Sequence, residues 1–450
     1  MSGVKDRHIN SRAACWVALA CLVVPMFGSY FFDDIFSTLS QLFSNPEMLE
    51  LGWSQTDYGF YASGYSVLCV FGGLIICGIL LDIYGVRIVG SVFVSMMVLG
   101  AALIYFALSY GFEPSVSSKI AFFGKMFFGL GSEIAGVAVT RSIAKWFKGR
   151  NIALAMGLHL AIARLGTAAA LIICPMLVAQ KMPGEIYTLS ETARPALAGL
   201  MLLMAGIILW AVFVAMDMRY DREMQIQDRG EISAENKFRF SDILKVLGNA
   251  RFIMIALLCV FFYCCIISFK KFGTAILIPR FEMDVESAKW MLSLIPFFTV
   301  VFTPLFGALV DKVGKATRWM LVGAGLVFLS HLIILLAPQG QPFYGYLAIS
   351  LLGVGYSLVP SAMWPSVPKI IPEKNLGTGY SLLYWIQNIG LMLIPILVGN
   401  ILDSSVSEML GAKNAEYIFV ALGAISIVVA LLLVRSSRRH PELHLDEPIK

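Results

Sequence analysis

Twelve apolar runs, each near the roughly 20 residues needed to cross a bilayer as a helix, succeed one another along this chain. They fall at 13–33, 57–81, 88–109, 118–140, 152–178, 195–216, 252–278, 288–310, 318–337, 343–364, 376–401 and 415–434. Hydrocarbon offers no partner to a backbone N–H or C=O, so runs of this length and polarity must satisfy their own backbone as helices. Of 450 residues 58% are hydrophobic and 14% charged, against about 25% charged in a soluble domain. The reading is an all-α membrane protein with no sizeable water-soluble domain. The first run is too long for the apolar core of a signal peptide, and Lys5, Arg7 and Arg12 precede it, so it counts as a span.

Placing the N-terminus inside puts 24 of the 34 Lys and Arg in cytoplasmic segments, 6 in external segments and 4 within spans. The positive-inside rule then sets both termini in the cytoplasm. The longest polar stretch, 217–251, carries seven of these cations and splits the chain into a six-span bundle (1–216) and a second (252–434), with a tail at 435–450. It reads as a solvated tether with an amphipathic turn around Phe238 to Val246. The basic residues form short clusters and no single stripe, so nucleic acid is not an expected partner. All eight cysteines lie in apolar stretches without metal-ligand spacing, so they read as small buried hydrophobes, with no disulfide, metal site or cofactor expected. We find no HExxH, no GxGD-like aspartyl pair, no Ser/His constellation and no phosphate loop, which argues against an intramembrane enzyme.

A short repeat carries more information. GILLDIYGVR (Gly78 to Arg87) follows the second run, and GALVDKVGKATR (Gly307 to Arg318) follows the eighth, 229 residues on. Both read G-x-x-x-D-x-x-G. Gly78 and Gly307 would let helices approach closely, Asp82 and Asp311 would cap or pair with a neighbouring cation such as Arg87, and Gly85 and Gly314 would permit a sharp turn. The motif resembles the loop signature of the major facilitator superfamily. That resemblance implies two six-helix bundles around a central cavity, working by alternating access.

Charges inside a span cost at least about 2.5 kcal/mol each and are functional candidates. Glu133 lies in the fourth run, eight residues or roughly 12 Å from Arg141; Arg164 lies in the fifth, 14 residues or roughly 21 Å from Arg150. The two runs are joined by a short connection, so they are antiparallel neighbours. Two readings stand. In one, Glu133 and Arg164 pair permanently and pin the helices. In the other, they are poles of a binding site, Glu133 for a cation and Arg164 for a carboxylate. Gly129, Gly131, Gly136, Gly157 and Gly166 would thin the wall around them and make room for a ligand.

The segments FGSYFFDD, WFKGRNIALAMGLHLAIARLG, LLGVGYSLVPSAMWP and EKNLGTGYSLLYWIQNIGL resemble one branch of the superfamily, that of the lysosomal dipeptide uniporter. The resemblance implies that Glu133 and Arg164 hold the amino and carboxyl ends of a dipeptide, and it places Trp364 and Asn388 on family positions. An extended dipeptide separates its termini by roughly 6 to 7 Å, which opposite charges on adjacent helices can bracket. Lys270 and Lys271 of the seventh run depart from the family, which is apolar there. Either one of them faces the cavity and binds substrate, favouring organic anions, or they snorkel outward. Asp33 and Asp34 read as interfacial carboxylates or an external gate, and Lys125 as structural or gating. His159 reads as a hydrogen-bonded structural residue, with proton coupling as the alternative, and His331 as facing packing or lipid. Tyr356 reads as an apolar wall.

The expected function is a carrier of dipeptides or similar zwitterions, with a proton-coupled carrier of organic anions as the alternative. The partners expected are a small-molecule substrate, protons and lipid, around a monomer. The lack of an N-x-S/T sequon and of an acidic dileucine signal favours a plasma or bacterial inner membrane over a lysosomal one. The short external loops leave little surface for an accessory subunit.

Overall fold

A computed structural model describes residues 12–147, 152–178, 181, 185–224, 240–372, 376–441 and 444–447. Among these residues twelve helices are long and apolar enough to span a membrane: α1 (Arg12–Asp33), α2 (Gln55–Leu81), α3 (Ile83–Ser109), α4 (Pro114–Trp146), α5 (Leu154–Leu177), α6 (Leu189–Glu223), α7 (Ala250–Lys271), α8 (Val285–Val313), α9 (Ala316–Leu336), α10 (Pro342–Lys369), α11 (Thr378–Ser404) and α12 (Glu408–Arg439). With an even number of spans, the start of α1 and the end of α12 lie at one end of the molecule, here the terminal end, with the far end opposite. Among the described residues there is no strand; a single bridge joins Leu49 to Tyr187 at the far end.

Local sequence sets the helix ends. Ser54 and Asp57 form a reciprocal capping box at the start of α2, and Asp284 and Ser407 cap α8 and α12. The second glycine of each repeat makes the expected turn, Gly85 at φ 75° and Gly314 at φ 67°, a region open to glycine at little cost. Gly78 and Gly307 do not act as expected: an added Cβ at either meets nothing within 4 Å, so neither marks a close helix contact here. Arg87 pairs with Asp221 at 2.5 Å and Asp217 at 3.4 Å. Asp311 is exposed, without an ion pair among the described residues; the side chain of Asp82 lies outside the described residues.

Two boundaries differ from the expectation. The tether does not begin at 217, because α6 runs on to Glu223 with Asp217 and Asp221 held by Arg87 and Lys145; 225–239 lies outside the described residues. A helix does form at Phe240–Leu247. The seventh run is not one helix over 252–278: α7 widens to a π-helical stretch at Cys264–Ser268 and stops at Lys271, and a separate helix follows at Gly273–Phe281. In the tail, Asp446 accepts from the Thr317 backbone N–H at 2.9 Å and so caps the start of α9.

Candidate functional site

Arg164 projects from α5 among aromatic side chains. Its Nη1 donates to the Tyr356 hydroxyl at 2.5 Å, and its guanidinium lies 4.8 Å from the Tyr356 ring centre and 6.0 Å from that of Tyr30. Both rings offer a negative π face to the cation. Tyr356 meets Tyr263 edge to face at 5.9 Å; the Tyr263 hydroxyl accepts from Trp364 Nε1 at 3.1 Å, and Trp364 stacks on Tyr384 at 5.0 Å. An arginine of the first bundle thus abuts an aromatic box built by α7, α10 and α11 of the second. A guanidinium carries five N–H donors, and Tyr356 engages one group, leaving donors for a planar carboxylate.

Glu133 on α4 is held separately. Tyr65 of α2 donates its hydroxyl to Glu133 Oε1 at 3.1 Å and lies 3.2 Å from Ser132 Oγ, and Ser132 contacts Ser29 Oγ at 2.6 Å. No ion pair joins Glu133 to Arg164 among the described residues, so the permanent pair is not formed here. The nearby glycines serve packing more than ligand space: a Cβ on Gly129 would sit 2.1 Å from the Tyr65 carbonyl oxygen, one on Gly131 2.7 Å from the Met97 nitrogen, and one on Gly166 2.4 Å from the Phe27 oxygen. These approaches bring Tyr65 to Glu133 and α1 to Arg164. Gly157 alone among the five has nothing within 4 Å, and Gly136 only the Met26 methyl at 3.4 Å.

Asn388 is buried, its Nδ2 donating to the Tyr384 carbonyl at 2.9 Å while its Oδ1 has no partner among the described residues. His159 is also buried, and its Nε2 has no partner among the described residues, so the expected hydrogen bond is not made there at that nitrogen.

Lys270 and Lys271 neither join the aromatic box nor snorkel. Lys270 Nζ lies 2.6 Å from Asp34 Oδ2; Lys271 Nζ lies 2.7 Å from Asp33 Oδ2 and 3.1 Å from Asp34 Oδ1; Lys125 of α4 takes Asp33 Oδ1 at 2.8 Å. Asp34 is 1% exposed and Lys125 0%, so Asp34 is no ordinary interfacial carboxylate. Buried charges demand partners, and these five supply one another across the boundary between bundles, with the Lys125 ammonium also packed on the Tyr61 and Phe128 rings. Around them the far end is stitched further: Tyr58 donates to the Lys271 carbonyl at 3.0 Å, Ser40 meets Thr274 at 2.9 Å, and Asp403 accepts from the backbone of Gln55 and Thr56 at 3.0 and 2.6 Å. A Cβ on Gly59 would lie 2.4 Å from the Pro395 oxygen, whereas Gly78, Gly157 and Gly307, nearer the terminal end, meet nothing. The far end is closed.

His331 faces packing, as expected, but with a partner that the sequence did not suggest: Glu416 of α12. Tyr30, Tyr65 and Tyr263 were likewise missed, since an aromatic in an apolar run gives no contrast with core.

Twelve candidate spans in two bundles, with opposed charges among them, are the architecture of a multi-pass membrane transporter. The chain belongs to the Major Facilitator Superfamily, whose pattern matches residues 22–395 and again 265–449. Within it the chain resembles the lysosomal dipeptide transporters MFSD1. It is 29% identical to the protein of Mus musculus over 430 residues, 94% of this chain and 87% of that one. The Homo sapiens protein is 28% identical over 422 residues, 92% and 84% of the two chains. Among solved structures a D-xylose-proton symporter superposes with a TM-score of 0.68 at 14% identity, covering 94% of this chain and 97% of that one. The peptide transporter POT in complex with sulfate gives 0.67 at 14% identity, covering 94% and 95%. At that identity both speak for the fold alone.

Proposed function

We propose that this protein carries dipeptides or similar small zwitterions across its membrane by alternating access, Arg164 binding the carboxylate and Glu133 the ammonium group. The observation that carries this reading is that the two charges sit on consecutive helices, each held by a tyrosine and neither neutralised by the other. Trp364 and Tyr356 would wall the side-chain space, and Asn388 Oδ1 would offer an acceptor after a small rearrangement. The relatives named as dipeptide transporters support the same substrate class.

The excess of Lys and Arg at the terminal end supports a cytoplasmic orientation for both termini. The closed far end is then external and the structure inward-facing, in a cell membrane of plasma or bacterial inner type. The organic-anion reading loses its main support, because both lysines assigned to it are consumed by Asp33 and Asp34.

The test is thermal unfolding of the purified protein with neutral, cationic and acidic dipeptides, single amino acids and dicarboxylates. A ligand of the folded state raises Tm. Dipeptides should do so, and the effect should vanish in Arg164→Ala; stabilisation by dicarboxylates alone would overturn the reading. Flux into sealed vesicles separates transport from mere binding.

A further inference from the structure

The pair in the second bundle that the transport reading does not use is His331 of α9 and Glu416 of α12. Both side chains are 0% exposed, and His331 Nδ1 lies 2.9 Å from Glu416 Oε2. The other ring nitrogen, Nε2, lies 3.0 Å from the carbonyl oxygen of Cys265 in α7. A carbonyl only accepts, so Nε2 carries a hydrogen. One further proton must then sit between Nδ1 and Oε2, whether written as imidazolium and carboxylate or as neutral imidazole and carboxylic acid. Without it a lone pair faces a carboxylate, and at 0% exposure bulk water cannot reach the pair to relieve the repulsion. Among the described residues Glu416 Oε1 is buried with no partner, so the carboxylate finds no other donor there.

Few other groups bear on this proton. Arg280, on the helix Gly273–Phe281, lies within electrostatic reach of Glu416, but its guanidinium donates to the carbonyls of Ile334, Leu335 and Ala337 at the end of α9. From α7 the Cys265 thiol, with Cys264 beside it, donates to the Phe419 carbonyl at 3.5 Å. The α10 contact is a serine hydroxyl, Ser330, on the Ala348 carbonyl.

We propose that His331 and Glu416 form a one-proton binding site, and that its occupancy sets the position of α7 and with it the ion pairs that close the far end. Cys265 belongs to the π-helical stretch Cys264–Ser268, a wide turn often found at functional sites. The next residue, Phe269, packs edge-on against the His331 ring at 5.1 Å, and Lys270 and Lys271 follow directly. Loss of the proton drives His331 from Glu416 and so disturbs the ring, the carbonyl and the two lysines together. The proposal makes the carrier proton-sensitive, and in that consequence it rests on the transport reading above.

The sign follows from proton counting. Between the ordinary carboxylate and histidine values an unfolded chain carries this proton on a free histidine. Above that range the unfolded chain releases it, and a site built around the proton loses stability relative to the unfolded chain as pH rises. In Glu416→Gln an amide N–H donates to Nδ1 and no titrating proton is needed. Between pH 6 and 9 the wild-type Tm should therefore fall relative to that of Glu416→Gln. Spin labels at Glu47→Cys and Val406→Cys, exposed on the two bundles at the far end, should report a separation that changes with pH in the wild type and stays fixed in the variant. His331→Gln should also lose the pH response, and it keeps the question open to refutation should Glu416→Gln fail to fold. Equal pH slopes in wild type and variants, or a label separation indifferent to pH, would overturn the proposal. Neither readout needs a dipeptide, so a failed substrate assignment is told apart from a failed proton site.

Discussion

Lys271 of α7 reaches Asp33 of α1 at 2.7 Å, joining residues 238 positions apart and the two bundles with them. Both are largely buried, so the contact is more than a surface ion pair, and three neighbours, Asp34, Lys270 and Lys125, share it.

Lys271→Met should loosen the far end. Removing one partner of a buried ion pair costs about 3–5 kcal/mol, lowered here by the remaining two lysines. Thermal unfolding should show a clear loss, with a partial recovery in Lys271→Met/Asp33→Asn, where the orphaned carboxylate is gone. An unchanged Tm in the single variant would mean the pair holds nothing.

Arg164→Lys keeps the charge and removes the planar fork. Dipeptide-induced stabilisation should disappear while the protein without ligand unfolds close to the wild type. Glu133→Gln should lose the same stabilisation through the other pole. If either variant still binds normally, the corresponding role is wrong.

Tyr356→Phe removes the hydroxyl that accepts from Arg164 and leaves the ring beneath it. The hydrogen bond to a charged group is worth about 1.5–3 kcal/mol in place, but the freed guanidinium gains reach to a ligand. Dipeptide affinity should move by no more than about tenfold, whereas Tyr356→Ala should lose it with the cation–π surface. Equal effects of the two would assign the whole role to the hydroxyl.

Gly129→Ala and Gly166→Ala should be badly tolerated, because the new methyl meets backbone oxygens at 2.1 and 2.4 Å. Overpacking costs typically about 1–3 kcal/mol, and here the neighbour is main chain that cannot rotate away. Gly307→Ala meets nothing and should leave Tm unchanged or higher. Side-by-side melting curves check the contrast.

How much could be read in advance depends on what contrasts with hydrocarbon. The spans were legible because a bilayer imposes length and polarity together, and Glu133 and Arg164 because a charge stands out in an apolar run. Tyr65 and Tyr263 were hidden by being aromatic among aromatics. The partners of Lys270 and Lys271 were hidden for another reason: pairing with Asp33 and Asp34 depends on which helices meet across 236 residues or more of chain. Glu416 was not singled out, because at the edge of the run 415–434 a carboxylate gives little contrast. Because α12 begins at Glu408, it lies two turns inside the helix.

Three lysines and two aspartates close the far end, and when all five are ionised their sum is one elementary positive charge. Charge crossing the full membrane field is worth about 2.3 kcal/mol per 100 mV. Any displacement of that cluster along the membrane normal moves it through part of that field. The balance between closed and open far ends then carries a voltage dependence of its own, even for a cargo with no net charge.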